Sequence, residues 1–393
     1  MTNKLFTKFL FFILLIFSFS CGDNSKKLQV NNDTTSIKND TTIKSQVNKK
    51  LFTLEDFYKD TSELNKKVEE IFKSLSDTER VGQMVMTSAG ELGRGDNIVS
   101  GLIKNKKVGG LVILKGSKQS ITDLIKKFNK IAENSKSLPL LFSCDGEPSL
   151  INKKISGIPE FPKTNSIKKE DLSEKTGADI AKEIKNIGFN WNYAPVCDFD
   201  LNKEIIGDRS FGHNETNVTK LATAFIKGTQ SNGIIATAKH FPGHGNVQGD
   251  THKKLVWING EPAELKTFAN VIKESGVISI MVGHIAINGG EYDTKEMPST
   301  ISKKIITDVL RNKLQFKGII ITDAMNMGGV KDFLKPALSA SIAGCDMILM
   351  PTDENTFIIN VLNRMNIEPD YKVQIYNSIK KIIRLKICSG IIK

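Results

Sequence analysis

The sequence predicts an α/β fold, a (β/α)8 TIM barrel in a single domain, and three observations carry that expectation. First, eight short apolar runs recur along the chain, at 81–88, 108–115, 138–146, 190–200, 233–241, 277–286, 317–325 and 345–351. They are nearly continuous, not alternating, which marks strands buried on both faces, as in a parallel sheet covered by helices. Second, stretches with helical apolar spacing separate the runs, among them ITDLIKKFNKIAEN, EDLSEKTGADIAKEIKNIG, ETNVTKLATAFIKGTQSNG and ISKKIITDVLRNKLQ. Third, several runs finish on ionisable residues, and a barrel builds its site from the C-terminal ends of its strands. No GxGxxG follows the first run, which disfavours a dinucleotide-binding sheet.

The elements follow in order from the amino terminus. Lys4 and Lys8 precede an apolar run from Phe9 to Phe17, and small residues lead on to Cys21. A run this short cannot span a bilayer, which needs about 20 apolar residues. Basic start, short apolar middle and small-residue exit read as a secretory signal over residues 1–21. Its Ser20–Cys21 end resembles a bacterial lipoprotein cleavage site, with Cys21 as the lipidated residue. That places the protein in the cell envelope, anchored on the periplasmic or outer face. Residues 22–52 are polar and low in complexity, too poor in apolar surface to offset their ordering entropy, and read as a tether. Residues 53–393 form the barrel domain, beginning with helical spacing in ELNKKVEEIFKSL, and Gly188 and Gly233 stand where helices should stop.

The formal charge of +12 comes mostly from scattered lysines, without an arginine-rich run or an aromatic-interleaved basic patch, so no nucleic-acid partner is expected. Cys144, Cys197 and Cys345 sit in apolar runs, where cysteine behaves as a small buried hydrophobe, and with Cys388 they show no disulfide framework.

Chemistry collects at the strand exits. Asp145 and Glu147 follow the third run, Asp198 lies in the fourth with Asp208 and Arg209 beyond it, and Lys239 and His240 end the fifth. His284 ends the sixth run and Asp323 the seventh, in IIITDAM. A carboxylate at the mouth of a buried strand costs free energy unless it is paired, so it asks for a cation or a reacting centre. Asp323 suits attack on an electrophilic carbon, or the capping of the next helix. The stretch TAKHFPGHGNVQGDTH (237–252) holds three of the five histidines, among glycines that let a loop fold over a ligand. Within it, Asp250 can orient His252 and raise its basicity, and an imidazole so tuned exchanges a proton near neutral pH.

The whole set resembles the family 3 glycoside hydrolases, in their β-N-acetylglucosaminidase branch. KHFPGHGNVQGDTH looks like that branch's signature, and VGGLVILKG, GDRSFG, MPSTIS, FKGIIITDAMNM and AGCDMILMP extend the likeness over roughly residues 65–390. The resemblance implies that Asp323 is the nucleophile, His252 the general acid/base and Asp250 its orienting partner. It further implies that Arg209, Lys239 and His240 hold sugar hydroxyls, and that Asp145 grips the far ones. One departure stands out: the family's Asp-x-Glu-Gly-Gly-Arg reads DGEPSLINK here, and a second family arginine falls on Lys153. Lysine keeps the charge but not the bidentate fork.

The expected activity is therefore exo-acting, retaining removal of terminal N-acetylglucosamine from peptidoglycan fragments or related oligosaccharides, by a monomer without cofactor or metal. With an imidazole in place of a second carboxylate, phosphate entry is less costly, so phosphorolysis is open as a side activity. Two other readings stand beside this one. His240, His244, Asp250 and His252 could ligate zinc in a metal-assisted hydrolase, although Lys239 adjoins them. The altered DGEPSLINK stretch motivates the other, a surface lipoprotein that binds glycans with a weakened catalytic apparatus.

Overall fold

All eight apolar runs become strands of one parallel sheet. The computed structural model describes residues 52–247 and 249–393, so the signal peptide, Cys21 and all but the last residue of the 22–52 tether lie outside the described residues. The strands are β1 (Val85–Ala89), β2 (Gly110–Ile113), β3 (Leu141–Cys144), β4 (Trp191–Asn192), β5 (Ile235–Phe241), β6 (Ser279–Val282), β7 (Ile319–Thr322) and β8 (Ile348–Leu349). Neighbours pair in sequence order from β1 to β7, with β8 beside β1. A parallel bridge from Ile321 to Met347 links β7 to the approach to β8 and brings the sheet to closure.

Every residue of β1, β2, β3, β5, β6 and β7 is buried, as two-sided covering requires. Helices follow each strand on the outside. Two of them, Glu170–Ile187 and Glu215–Ser231, pack so closely that a Cβ on Gly228 would stand 2.0 Å from the Glu174 carbonyl oxygen. Gly188 does end its helix, with a left-handed φ of 115° that a side chain would resist. The seam at β8 is fixed from below by Asp346. Its carboxylate accepts hydrogen bonds from the Ile320 N–H (2.8 Å) and the Ser378 hydroxyl (2.7 Å), and pairs with Lys381 (2.6 Å) and Arg311. Ser378 and Lys381 belong to the last helix, Pro369–Cys388, so the closing strand and the last helix are locked together. Arg384, on the same helix, reaches the carbonyls of Phe57 and Lys59 and ties it to the start of the domain.

The four cysteines expected to be unpaired are free and buried. No helix among the described residues is long and apolar enough to cross a membrane. At the C-terminal mouth, two short parallel ribbons extend the barrel rim. One pairs Gly116–Ser117 with Ile155–Ser156, and the other pairs Val256–Asn259 with Ile285–Asn288.

Candidate active site

The strand exits converge on a cavity of about 760 Å³ at the C-terminal mouth, lined among others by Asp145, Glu147, Arg209, Lys239, His240, His252 and Asp323. Asp250 does not line it but stands behind His252. The site divides into a charged floor, a pair of oriented imidazoles and the Asp323 carboxylate.

On the floor, the β5 lysine Lys239 is fully enclosed. Its Nζ lies 2.9 Å from Asp145 and 2.6 Å from Glu147. Arg209, from the loop after β4, donates from Nε and Nη2 to both oxygens of Glu147 at 2.8 Å, and from Nη1 to the Ile205 carbonyl at 3.1 Å. This fork is the geometry that a lysine could not supply. Burial opposes the ionisation of Asp145 and Glu147, yet Lys239 and Arg209 outweigh it and hold both carboxyls below their ordinary values. Removing any one charge would strand another in a low-dielectric site, which typically costs several kcal/mol.

Lys153, where the family's second arginine falls, is exposed and does not line the cavity. The neighbouring Lys154 lines it instead, 3.4 Å from the second oxygen of Asp145. Both sit on the short helix Ile151–Lys154, where successive side chains point about 100° apart. The register of that helix decides which lysine faces inward.

His240 is oriented by Asp198. Its Nδ1 lies 2.6 Å from Asp198 Oδ2, and its own backbone N–H and that of His244 also donate to the same carboxylate. Because the carboxylate accepts, Nδ1 carries the proton and Nε2 is left toward the cavity. The peptide bond between Lys239 and His240 is cis. His244 packs edge-on against His240 at 5.8 Å between ring centres, and burial lowers its pKa to about 4. It is therefore neutral, and its Nε2 finds no hydrogen-bond partner among the described residues.

Asp250 performs the same service for His252. Its Oδ1 accepts from the His252 backbone N–H at 2.9 Å and from Nδ1 at 2.8 Å, so the two side chains close a tight turn as the D-x-H spacing allows. Burial opposes ionisation of Asp250, but the backbone N–H and ring of His252 prevail and keep it a carboxylate. The His252 ring is 64% exposed and lines the cavity rim.

Asp323 follows β7 directly. Its backbone N–H bonds to the Val282 carbonyl at 2.9 Å, and its Oδ1 accepts the Ala324 N–H at 2.7 Å. Burial raises the cost of its charge, while the imidazoles of His284 and His240, the Ala324 N–H and His252 favour it and lower its pKa on balance. The helix-capping role is not what the structure shows, since the next helix, Pro336–Ala343, begins with Lys335 as its cap residue. His284, fully buried, donates from Nε2 to the Ala324 carbonyl at 2.9 Å and accepts the Thr300 hydroxyl at Nδ1, at 2.8 Å. It pins the backbone next to Asp323.

The loops that carry His252 and Asp323 are joined by their backbones. The Gly328 N–H donates to the His252 carbonyl at 3.0 Å, and the Gly329 N–H donates to the Thr251 carbonyl at 2.9 Å. A Cβ on Gly328 would stand 2.2 Å from the Lys253 carbonyl oxygen, so glycine is what lets the loops meet. The loop after β4 joins as well, through Asn202, whose N–H donates to the Gly245 carbonyl at 2.6 Å.

Reasoning from sequence missed the structural importance of Glu147, Asp198, Lys154 and the Gly328–Gly329 pair. Glu147 and Asp198 were visible as strand-exit carboxylates, whereas Lys154 and the glycine pair carried no comparable signal. The four side chains considered as zinc ligands, His240, His244, Asp250 and His252, do not form a metal-binding group among the described residues. Two of those rings are instead committed through Nδ1 to carboxylates.

Residues 77–385 match the family model described as the glycosyl hydrolase family 3 N-terminal domain. The chain is 32% identical over 287 residues to beta-hexosaminidase A of Pseudoalteromonas piscicida, covering 64% of this chain and 47% of that protein. It is 31% identical over 269 residues to the beta-hexosaminidase of Idiomarina loihiensis, covering 64% of this chain and 79% of that one. Among solved structures, a family 3 beta-N-acetylglucosaminidase from Paenibacillus sp. FPU-7 superposes with a TM-score of 0.73 at 27% identity, over 81% of this chain and 63% of that one. The chain thus spans about half the length of the Pseudoalteromonas relative and under two thirds of the Paenibacillus one. With the matched segment covering nearly the whole described barrel, the chain belongs to glycosyl hydrolase family 3.

Proposed function

We propose that the protein is an exo-acting, retaining β-N-acetylglucosaminidase that removes terminal N-acetylglucosamine from peptidoglycan fragments or related oligosaccharides. The observation that carries this reading is that Asp323 and His252 line one cavity from two loops whose backbones are hydrogen-bonded together. The names of the Pseudoalteromonas and Idiomarina relatives support the choice of hexosaminide.

The contacts around His252 support one assignment of the protons. Asp250 holds the Nδ1 proton of His252, so the proton that moves is the one on Nε2. In the first step an Asp323 oxygen bonds to the anomeric carbon while the Nε2 proton of imidazolium His252 passes to the leaving oxygen, and the glycosidic bond breaks. His252 is left neutral with a lone pair on Nε2. In the second step that lone pair takes a proton from water as the water attacks the anomeric carbon, Asp323 departs as carboxylate, and the original configuration returns. The floor of Asp145, Glu147, Lys154, Arg209 and Lys239 offers donors and acceptors to the sugar hydroxyls. Lipid anchoring at Cys21, an envelope location and a monomeric state belong to the same reading and rest on the sequence.

Turnover of an aryl β-N-acetylglucosaminide by Asp323→Ala and His252→Ala variants tests the assignment. Each should lose on the order of 10²-fold or more. Full activity in either removes it. Binding of chitin oligomers without turnover by the unaltered protein would favour the glycan-binding reading that the altered DGEPSLINK loop motivates.

A further inference from the structure

Outside the catalytic cavity, one feature of the rim is built from residue types that the proposed reaction does not use. The ribbon strand Val256–Asn259 leaves the His252 loop within a few residues and pairs in parallel with Ile285–Asn288, which leaves β6 just after His284. Along the first strand, burial alternates: Val256 and Ile258 point inward, while Trp257 and Asn259 point outward. Trp257 is 47% exposed, whereas the chain's other tryptophan, Trp191, is fully buried and hydrogen-bonded to Thr237. A tryptophan ring left in water forfeits a large burial gain unless something covers it.

The surroundings of that ring are polar and shaped. Its register partner is the small residue Ala286, which keeps the strand beside it low. Asn259 and Asn288 are paired in register on the same face, with the Asn288 amide donating to the Asn259 carbonyl oxygen at 3.3 Å. The Asp293–Glu296 turn completes the wall. Asp293 accepts the Lys295 N–H at 2.8 Å and pairs with the Lys295 ammonium at 3.1 Å. Lys295 and Glu296 both hold left-handed φ values, 54° and 64°, a conformation that residues with side chains seldom adopt twice in succession. Trp257, Ile287, Asn288, Asp293, Lys295 and Glu296 line a cavity of about 570 Å³ that shares no lining residue with the catalytic one, and Asn259 borders it through its bond to Asn288.

We propose that this rim is a second glycan-binding surface, which seats a β-linked N-acetylhexosamine chain on Trp257, apart from the sugar at Asp323. A pyranose ring has an apolar face of C–H groups and an edge of hydroxyls and acetamido groups. The Trp257 ring matches the face, and the Asn259–Asn288 carboxamides with the Asp293 and Lys295 charges match the edge. A protein partner would want a larger continuous apolar patch than one indole ringed by carboxamides and charges. The choice of N-acetylhexosamine rests on the function proposed above; the seat for a sugar ring does not.

Retention of the full-length protein on chitin beads and on purified peptidoglycan sacculi tests the proposal. Trp257→Ala should be retained about fivefold to tenfold less than the unaltered protein on one of the two glycans, the loss of a single aromatic contact. Asn288→Ala should show a smaller loss in the same direction. Both variants should keep the unaltered kcat/KM on a small aryl β-N-acetylglucosaminide. Trp257→Phe, which preserves a ring, should stay bound but lose the change in tryptophan emission on adding N-acetylchitotetraose, because only buried Trp191 then reports. Unchanged retention of Trp257→Ala on both glycans, a parallel loss of aryl-glycoside turnover, or no retention of the unaltered protein would each overturn the proposal. Retention that depends on Trp257 without any N-acetylglucosaminide turnover would uphold this surface while removing the hydrolase reading.

Discussion

Replacing Gly328 with alanine probes whether the union of the two loops is what places His252, the proposed acid/base. The added Cβ would stand 2.2 Å from the Lys253 carbonyl oxygen, 2.4 Å from its carbon and 2.8 Å from the His252 oxygen, all backbone atoms. Comfortable separation of such atoms is about 3.5 Å, so one loop must retreat by roughly 1 Å. The β7 side is held by β-sheet and by His284, while the 249–254 loop hangs partly on the Gly328 and Gly329 hydrogen bonds. The 249–254 loop therefore yields, and it carries His252. The stability cost of such overpacking is about 1–3 kcal/mol, and less where a surface loop can relax. A displacement of about 1 Å at a proton donor costs on the order of 10²-fold in turnover. The signature of Gly328→Ala is thus a large fall in kcat on an aryl β-N-acetylglucosaminide with a modest fall in Tm. Gly101→Ala is the matched control, because no atom lies within 4 Å of its added Cβ in the helix Asp96–Lys104. That change should be neutral or stabilising by up to about 1 kcal/mol. If Gly328→Ala keeps kcat within about twofold, the backbone union does not position His252 and the reasoning fails.

Other expectations follow from the floor and from two buried titratable groups. Lys154→Ala should raise KM by about tenfold through loss of a charged group at Asp145, while Lys153→Ala leaves it unchanged; the reverse pattern would mean the short helix turns its other side to substrate. Burial and the nearby Asp198 charge raise the Glu264 carboxyl from 4.5 to about 7. The folded state therefore favours its protonated form, and a cost to stability grows as pH rises from about 4.5 to about 7 and stays in full above that. Glu264→Gln keeps the acceptor for the Gly245 N–H and removes the titration, so its Tm should exceed that of the unaltered protein at pH 8, by up to about 3 kcal/mol in stability, and converge with it below pH 4.5. Lys386 is buried, with Gln83 and the Pro139 carbonyl as its hydrogen-bond partners among the described residues, and burial lowers its pKa from 10.5 to about 7. Its charge burdens the folded state in full below pH 7, and the burden fades as pH rises toward 10.5. Thermal denaturation of Lys386→Met against pH should lack that rise, and an identical slope in both proteins would refute the shift.

The barrel was legible in the chain because a strand covered on both faces must be apolar throughout, and the eight runs show that directly. Their paired cores are shorter than the runs. In 190–200 the strand proper is Trp191–Asn192, followed by a single parallel bridge from Val196 to Lys239; Pro195 between them has no N–H to give, and the chain then turns to bring Asp198 under His240. The acidic and basic exits were legible for a related reason, since a charge at the end of a buried run costs free energy until a partner or a ligand meets it. What escaped was relational. Lys153 and Lys154 are the same letter, and only the phase of a four-residue helix separates them. The contacts of Gly328 and Gly329 with Thr251 and His252 use peptide groups, which every residue possesses, across a long stretch of chain. Glu147 stood in plain view two positions from Asp145, but its meaning as the partner of Lys239 and Arg209 needed two loops and the end of β5 in one place.

The seam beside β8 has a consequence for how the chain is made. Strand β1 finds one neighbour at once, in β2, but its other edge waits for Ile348 and Leu349, which are made long after it. Until those residues leave the ribosome the sheet is an open ribbon with two raw edges, β1 and the isoleucine-rich β7. Such edges recruit strands from other nascent chains. The Asp346 anchor and the last helix are what retire both edges together, so a stall or truncation shortly before residue 345 should yield aggregates in place of a smaller soluble barrel.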